Sequence, residues 1–370
     1  MIEGTQISEH LRQKNLQKKD EELRRRKAMI REIDRRLQDN QKSPFVLSAE
    51  QKEQVHTYWD PYTDSNAKGW IEYYSGLYGE YDVRFLPDTV YYMDIDPFYN
   101  NRSAAKYIDH KCFYSRLFPQ IKQPETIAQK INGFWLDANF DSIQMDEILR
   151  RCQEAGKVII KPAVNFCGGA GIFIWDAQKE GIGRLENILR RTVVDTVIQV
   201  FLKQHCEMEK LHRSSVNTIR TISFYHKNKT HLLSSVVRMG VGESEVDNVS
   251  AGGISAGILE NGRLKNRGFD KYGTCFPEHP DGAVFRECRI PCYDRICEHI
   301  VDAHKFLPHF RLISWDFAVD CEGNPVLIEA NLMNGELDFH QINNGPLFHE
   351  LTEEVLWEVY GKRCKDAEKH

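Results

Sequence analysis

Three polar residues on two apolar runs give the first chemical clue. Ile313-Ser314-Trp315-Asp316-Phe317-Ala318-Val319 and Val326-Leu327-Ile328-Glu329-Ala330-Asn331 carry Asp316, Glu329 and Asn331 among hydrophobic neighbours. Asp320-Cys321-Glu322-Gly323-Asn324-Pro325 between them reads as a turn, so the pair predicts an antiparallel hairpin. Period-two alternation puts Glu329 and Asn331 on one face, and antiparallel pairing brings Asp316 opposite them. Oxygen donors converging among apolar side chains suit Mg²⁺ with nucleotide phosphates as co-ligands. The plain alternative is a strand end whose acids are solvated at a sheet edge.

A second cluster lies upstream. Val158-Ile159-Ile160-Lys161-Pro162 reads as a strand ending in a lysine, and Cys167-Gly168-Gly169-Ala170-Gly171-Ile172 follows as a glycine-rich turn. Glycines let backbone N–H groups approach a polyphosphate, and the lysine adds a fixed positive charge. No Gly-Lys-Ser/Thr follows, which excludes a Walker A loop. Taken alone, a β-hairpin with a glycine turn explains the pattern equally well. Arg220 and Arg238 each interrupt an apolar run, Thr218-Ile219-Arg220-Thr221-Ile222 and Ser235-Val236-Val237-Arg238-Met239. Facing inward, such guanidiniums grip a carboxylate or acyl phosphate bidentately; facing outward, they are ordinary strand arginines. The Asp247-Asn248 and Gly252-Gly253 stretch reads as a substrate-covering loop or a plain turn.

The elements that must position these groups alternate irregularly. Strands are expected over 157–161, 172–175, 196–201, 218–225, 231–239, 312–319 and 325–330, and helices over 142–155, 184–191, 292–305 and 347–360. Without a regular βαβ alternation the class is α+β. Residues 56–100 are crowded with unevenly spaced Trp, Tyr and Phe, which suits a core or a cleft wall more than a nucleic-acid stacking platform. Residues 1–42 carry 12 Lys/Arg against 8 Asp/Glu, a net of +4, and the remainder carries −9. There Leu16, Leu23, Ile30 and Leu37 recur every seven residues, the narrow seam of a solvated, dimerising or partner-docking helix. Ser48-Ala49-Glu50-Gln51 is a capping signal for a second helix.

Composition bounds the rest. The 370 residues have 41 % hydrophobic and 28 % charged side chains and a net charge of −5. These values are ordinary for a globular protein and argue against a general nucleic-acid binder. No apolar run reaches the roughly 18 residues of a membrane span, and no secretory signal opens the chain, so a cytoplasmic setting is expected. Ten scattered cysteines without a CxxC pair are expected to be reduced and mostly buried.

The Lys-Pro strand before a glycine loop, the apolar hinge Val197-Ile198-Gln199-Val200-Phe201-Leu202, and Asp…Glu-x-Asn on a late hairpin together resemble the ATP-grasp superfamily. Further motifs narrow this. Tyr58-Trp59, Phe85-Leu86-Pro87-Asp88, Ile95-Asp96-Pro97, Asp109-His110-Lys111, Leu117-Phe118-Pro119, Ser215-Val216-Asn217-Thr218-Ile219-Arg220, Val246-Asp247-Asn248 and Gly252-Gly253 occur in the order of the sugar-transfer-associated ATP-grasp family. That family is related to α-L-glutamate ligases, and the resemblance runs from about residue 45 to 360. It implies an ATP-grasp fold: two α+β lobes gripping ATP, here with an N-terminal helical extension.

The same resemblance implies roles. Lys111 and Lys161 would neutralise α- and β-phosphate oxygens, and Gly168, Gly169 and Gly171 would cover them. Gln199 and the backbone of Val200 and Leu202 would receive adenine, and Glu207 or Glu209 the ribose. Asp316, Glu329 and Asn331 would hold Mg²⁺; Ser314 stands where the family pattern has glycine before Trp315. Arg220 and Arg238 are the expected catalytic residues, with Asn217, Asn248, Gly252 and Gly253 binding substrate. The expected domains are a charged arm over 1–43, an aromatic-rich region over 44–110, a first lobe over 111–200, a second over 201–362, and a tail over 363–370.

Three functions follow. The first is an ATP- and Mg²⁺-dependent carboxylate–amine ligase working through an acyl phosphate on small-molecule or glycan-linked substrates. The second is a phosphotransferase acting on a sugar or other hydroxyl. The third is a non-catalytic nucleotide-binding scaffold, docked or made oligomeric through residues 1–42.

Overall fold

A computed structural model of the chain describes residues 21, 24, 25, 27, 28, 30, 31, 45–63, 66–164, 171–244, 247 and 252–367. The heptad positions Leu16, Leu23 and Leu37 lie outside them; Ile30 is helical and half-buried. The chain divides into two compact units, residues 1–98 with 345–370, and residues 99–344.

The first unit is helical. Helix α1 (Ala49–Trp59) opens on a capping box: Ser48 Oγ accepts from the Gln51 amide at 3.2 Å, and Gln51 Oε1 accepts from the Ser48 amide at 2.9 Å. Helix α2 (Ala67–Tyr78) ends at Gly79, whose φ of 96° suits the residue just past a helix. The expected aromatic core forms around them. Tyr74 stacks on both Trp70 and Phe85, with ring centroids 5.5 and 5.6 Å apart. The C-terminal helix spans Thr352–Ala367, not 347–360. His349 takes a left-handed φ of 46° in a 3₁₀ turn over His349–Leu351, and the α-helix starts only beyond it.

The second unit holds two antiparallel sheets. Strands β1 (Thr126–Ile131), β2 (Phe134–Leu136), β3 (Lys157–Pro162), β4 (Phe173–Asp176) and β5 (Thr196–Val200) form a sheet in the order β2-β1-β5-β3-β4. Helices α3 (Met145–Ala155) and α4 (Ile182–Arg191) cover one face: Ile148, Cys152, Leu185 and Leu189 pack on Ile127, Val158, Ile160, Trp175 and Ile198. Helix α3 starts three residues later than its sequence suggests because Ser142 is bridged to Leu136. Alternation leaves Ile159, Lys161, Val197 and Gln199 on the opposite face.

Strands β6 (Thr218–His226), β7 (Lys229–Met239), β8 (Ile254–Ile258), β9 (Leu264–Phe269), β10 (Cys275–Phe276), β11 (Leu312–Val319) and β12 (Pro325–Asn331) form the second sheet, ordered β10-β9-β8-β7-β6-β11-β12. Helix α5 (Tyr293–His304) covers its apolar face through Ile296, Ile300 and Ala303. Trp315 Nε1 there donates to Ser223 Oγ at 2.7 Å. The other face meets helix α6 (Asp338–Asn344). Gly257 of β8 permits that approach, since a Cβ on it would lie 2.4 Å from Asn344 Oδ1.

Among the described residues, eight cysteines are free, but only Cys112 and Cys152 are buried. The expectation of mostly buried thiols fails because Cys206, Cys275 and Cys321 sit on short or terminal segments at the surface. No helix among the described residues is long and apolar enough to cross a membrane.

Candidate functional site

The late hairpin pairs as the alternation requires. Asp316 of β11 is the direct cross-strand partner of Glu329 of β12, and Ser314 pairs with Asn331. On its other side Asp316 pairs with Arg220 of β6, Arg220 with Val236 of β7, and Thr218 with Arg238. Direct partners share a face, so Glu329, Asp316 and Arg220 form one row across three strands, and Arg238, two residues beyond Val236 on β7, faces the same way.

That row is an ionic cluster with little solvent. Asp316 is 1 % exposed, Arg220 8 % and Arg238 9 %. Arg220 grips Asp316 bidentately, Nε to Oδ1 at 2.7 Å and Nη2 to Oδ2 at 2.6 Å, while its Nη1 bonds Glu336. Arg238 Nη2 donates to Asp316 Oδ2 at 3.2 Å and lies 3.5 Å from Asp247. Burial alone would raise the Asp316 carboxyl; Arg220 and Arg238 outweigh it and hold the group at about 2. Asn331 Nδ2 completes the group, 3.5 Å from Asp316 Oδ2.

The first sheet contributes the facing wall. Lys161 and Gln199 project from the face that α3 and α4 leave bare, into a cleft of about 260 Å³ also lined by Lys111, Thr126, Leu327 and Ile328. Lys111 opens a 3₁₀ turn tied to the end of β3, its amide donating to the Ala163 carbonyl at 2.8 Å. Its Nζ reaches Glu329 Oε1 at 2.7 Å, so one bond joins the two walls. Lys161 is 7 % exposed, and its Nζ has no hydrogen bond or ion pair to a described residue. Burial, then the charge of Lys111, pushes its ammonium down to about 8. Gln199 Oε1 is buried and makes no hydrogen bond to a described residue.

The Val200 amide donates to Glu125 O at 2.9 Å, and Leu202 follows it, half-buried. Glu207 pairs with Lys210 at 2.6 Å and Glu209 is exposed, both on the short helix Cys206–Glu209. Asn217 is fully buried, and its Nδ2 ties Gln204, Met208 and His212 together at 2.7–2.9 Å. The structure thus puts it inside a loop network and not on the cleft surface. Gly171 has a φ of 83° and packs on Pro162; Gly252 is exposed with a φ of 103°, and Gly253 leads into β8. Gly168, Gly169 and Asn248 lie outside the described residues.

Sequence reasoning missed Glu336, which has no fixed period with Asn331, and helix α6, whose His340 bonds Ser234 of β7 through Nδ1 at 2.8 Å. Leu337 is the one apolar residue in Asn334-Gly335-Glu336-Leu337-Asp338, so no apolar period marks the helix start.

The family model described as sugar-transfer associated ATP-grasp matches residues 92–355. The resemblance drawn over 45–360 therefore narrows, leaving Tyr58-Trp59 and Phe85–Asp88 outside the match. Solved structures with a similar fold include the ATP-grasp ligase PsnB complexed with a phosphomimetic variant of its minimal precursor, Mg and ADP. It is 14 % identical, with 70 % of this chain and 61 % of that one covered and a TM-score of 0.42. D-cycloserine synthetase DcsG is 12 % identical over 69 % of this chain and 73 % of its own, with a TM-score of 0.41. D-alanine–D-alanine ligase from Bacillus anthracis is 15 % identical over 72 % of each chain, with a TM-score of 0.40. The chain spans less than two thirds of PsnB's length. Among curated proteins no match was found. The family match covers the cleft, both of its walls and the carboxylate row, and the chain belongs to the sugar-transfer associated ATP-grasp family.

Proposed function

We propose that the chain is an ATP- and Mg²⁺-dependent carboxylate–amine ligase that works through an acyl phosphate. The observation that carries this reading is one buried row of acids and arginines facing a buried lysine with no counter-ion. Asp316, Glu329 and Asn331 offer oxygen donors from adjacent strand positions, the hard donor set that Mg²⁺ takes. Gln199 Oε1, buried and unpaired among the described residues, fits an exocyclic amine such as that of adenine. The residues present therefore fit both groups. Bound Mg²⁺ would supply Lewis-acid stabilisation of phosphoryl oxygens.

The chain's own groups do the rest. Lys161 binds an anionic phosphate oxygen, which supplies the partner the fold withholds. Lys111 and Arg220 now neutralise Glu329 and Asp316; with the acids engaged elsewhere, both cations turn to substrate oxygens. Arg220 and Arg238 orient the substrate carboxylate and spread charge as it attacks the terminal phosphorus, the β–γ phosphoanhydride bond breaks and ADP leaves. An amine then displaces phosphate from the acyl carbon. Gly168, Gly169 and Gly171 cover the phosphates, Val200 and Leu202 flank adenine, and Glu207 or Glu209 takes the ribose. Asn248, Gly252 and Gly253 close on the substrate, and Asn217 holds the loop beneath them. The lobes meet at residues 200–201, the substrates are small-molecule or glycan-linked, and the setting is cytoplasmic.

Turnover of ATP with a panel of carboxylates and hydroxylamine tests this. ADP with hydroxamate supports the ligase. ADP with a stable phosphorylated product and no hydroxamate replaces it with a phosphotransferase.

A further inference from the structure

Helix α6 carries three buried side-chain atoms without hydrogen-bond partners among the described residues over strands β7 and β8: His340 Nε2, Asn343 Oδ1 and Asn344 Oδ1. The helix is seated firmly. Asn343 Nδ2 donates to Ser255 Oγ at 2.9 Å, Lys265 Nζ to the Asn343 carbonyl at 2.8 Å, and Asn344 Nδ2 to the Ser235 carbonyl at 2.8 Å. Unpaired atoms on so fixed a helix are completed by an ordered water or by a polar ligand.

The proton on the His340 ring can be assigned from its network. Asn344 Nδ2 also donates to Ser234 Oγ at 2.8 Å, and Ser234 Oγ lies 2.8 Å from His340 Nδ1. If the hydroxyl accepted from both, its own proton would be stranded. It therefore donates to Nδ1, and the neutral ring carries its proton on Nε2. The ring is fully buried, and burial, then Arg220, holds its pKa down at about 3, so it stays neutral. Ser234 alternates with Val236 and Arg238 along β7, and Val236 pairs with Arg220. His340 thus hangs over the face that carries both arginines, with its Nε2–H unpaired among the described residues and both guanidiniums near enough to act on the ring's charge.

We propose that His340 is a substrate-binding residue whose Nε2–H donates to an oxygen of the anionic group gripped by Arg220 and Arg238. This rests on the ligase reading for the identity of that group, a carboxylate that becomes an acyl phosphate. The proposal adds a neutral donor to the two charged ones, set by a helix outside the hairpin that holds the metal ligands.

Two isosteres separate this from a structural role. His340→Asn keeps a group at the Nδ1 position and the Ser234 bond, but loses Nε2. His340→Gln keeps an N–H near Nε2 and loses the Ser234 bond. The full chain, labelled with ¹⁵N in histidine, is titrated with inorganic phosphate and followed by NMR. The wild-type His340 ring signal shifts on saturation. His340→Asn weakens phosphate roughly tenfold or more, the loss of one hydrogen bond to a charged group, and His340→Gln stays within about threefold. Equal affinity in His340→Asn with a loss in His340→Gln overturns the proposal, as does an unmoved wild-type ring signal, which needs no variant to fold. The hydroxamate assay reports separately on the ligase. The phosphate pattern without hydroxamate leaves His340 an anion ligand and removes the ligase; hydroxamate without the pattern does the reverse.

Discussion

Lys161 on the first sheet and Arg220 on the second are buried almost equally, at 7 % and 8 % exposed. Their surroundings differ. Arg220 is clasped by Asp316 and Glu336, and these carboxylates outweigh the cost of burial and hold its pKa above the usual range. Lys161 has no such clasp, and burial drives its pKa down to about 8. On one wall the buried cation is matched by carboxylates within ion-pair distance, and on the other it has none so close among the described residues. A buried pair secures geometry, whereas a buried lone charge costs stability unless a ligand completes it.

The sharpest way to break this contrast is at Glu329, which joins the walls through Lys111. Glu329→Gln keeps shape but removes charge, and turnover should fall at least about 100-fold, roughly 2.7 kcal/mol of barrier. Adding Asp316→Asn should cost little more, because both act on one cluster. Steady-state kinetics on the single and the double variant decide this; near-normal turnover would make the hairpin structural.

Lys161→Met comes next. Losing a charge-assisted contact of about 1.5–3 kcal/mol should weaken ATP by roughly 10–100-fold in calorimetry. In the unaltered protein ATP affinity should fall as pH rises through about 8, where Lys161 loses its proton. The folded pKa lies below the ordinary value of 10.5, so the unfolded chain binds more protons between them. Stability from this group therefore rises from pH 8 to 10.5. Asp316 has the opposite window. Its depressed carboxyl supports the fold above about pH 4 and loses that support as pH falls toward 2. Acid and alkaline melts separate the two.

Gly257→Ala tests the seat of α6. A methyl 2.4 Å from Asn344 Oδ1 must displace the amide, at a cost of about 1–3 kcal/mol, seen as a drop of a few degrees in Tm. The smallest effect is expected on α3, where exposed Arg150 pairs with Glu147 and Glu154. Arg150→Ala should leave Tm unchanged within error, because solvent screens such pairs.

The hairpin was legible because apolar alternation runs unbroken through Leu312–Val319 and Pro325–Asn331, leaving the polar positions conspicuous. Lys161 was legible for the same reason. Strands β8 and β9 were not: Ile-Ser-Ala-Gly-Ile and Leu-Lys-Asn-Arg-Gly-Phe break the hydrophobic pattern with glycines required by close neighbours, not by the strand. His340 was invisible because its meaning comes from β7, more than a hundred residues earlier. Local pattern finds what a strand does for itself; it does not find what a distant helix does to a strand.

The β11–β12 pairing shifts register just after Asp316: Asp316 faces Glu329, but Phe317 faces Leu327, so Ile328 is an extra residue on the second strand. The turn beyond is pinned, with Asp320 Oδ1 accepting from the Glu322 and Asn324 amides at 3.0 and 2.8 Å. Deleting Ile328 would only close the bulge, with Leu327 still opposite Phe317 and Glu329 still opposite Asp316, whereas deleting Ala330 would turn Asn331 to the α5 side, away from Asp316. The strand thus has slack for one residue before Glu329 and none between Glu329 and Asn331.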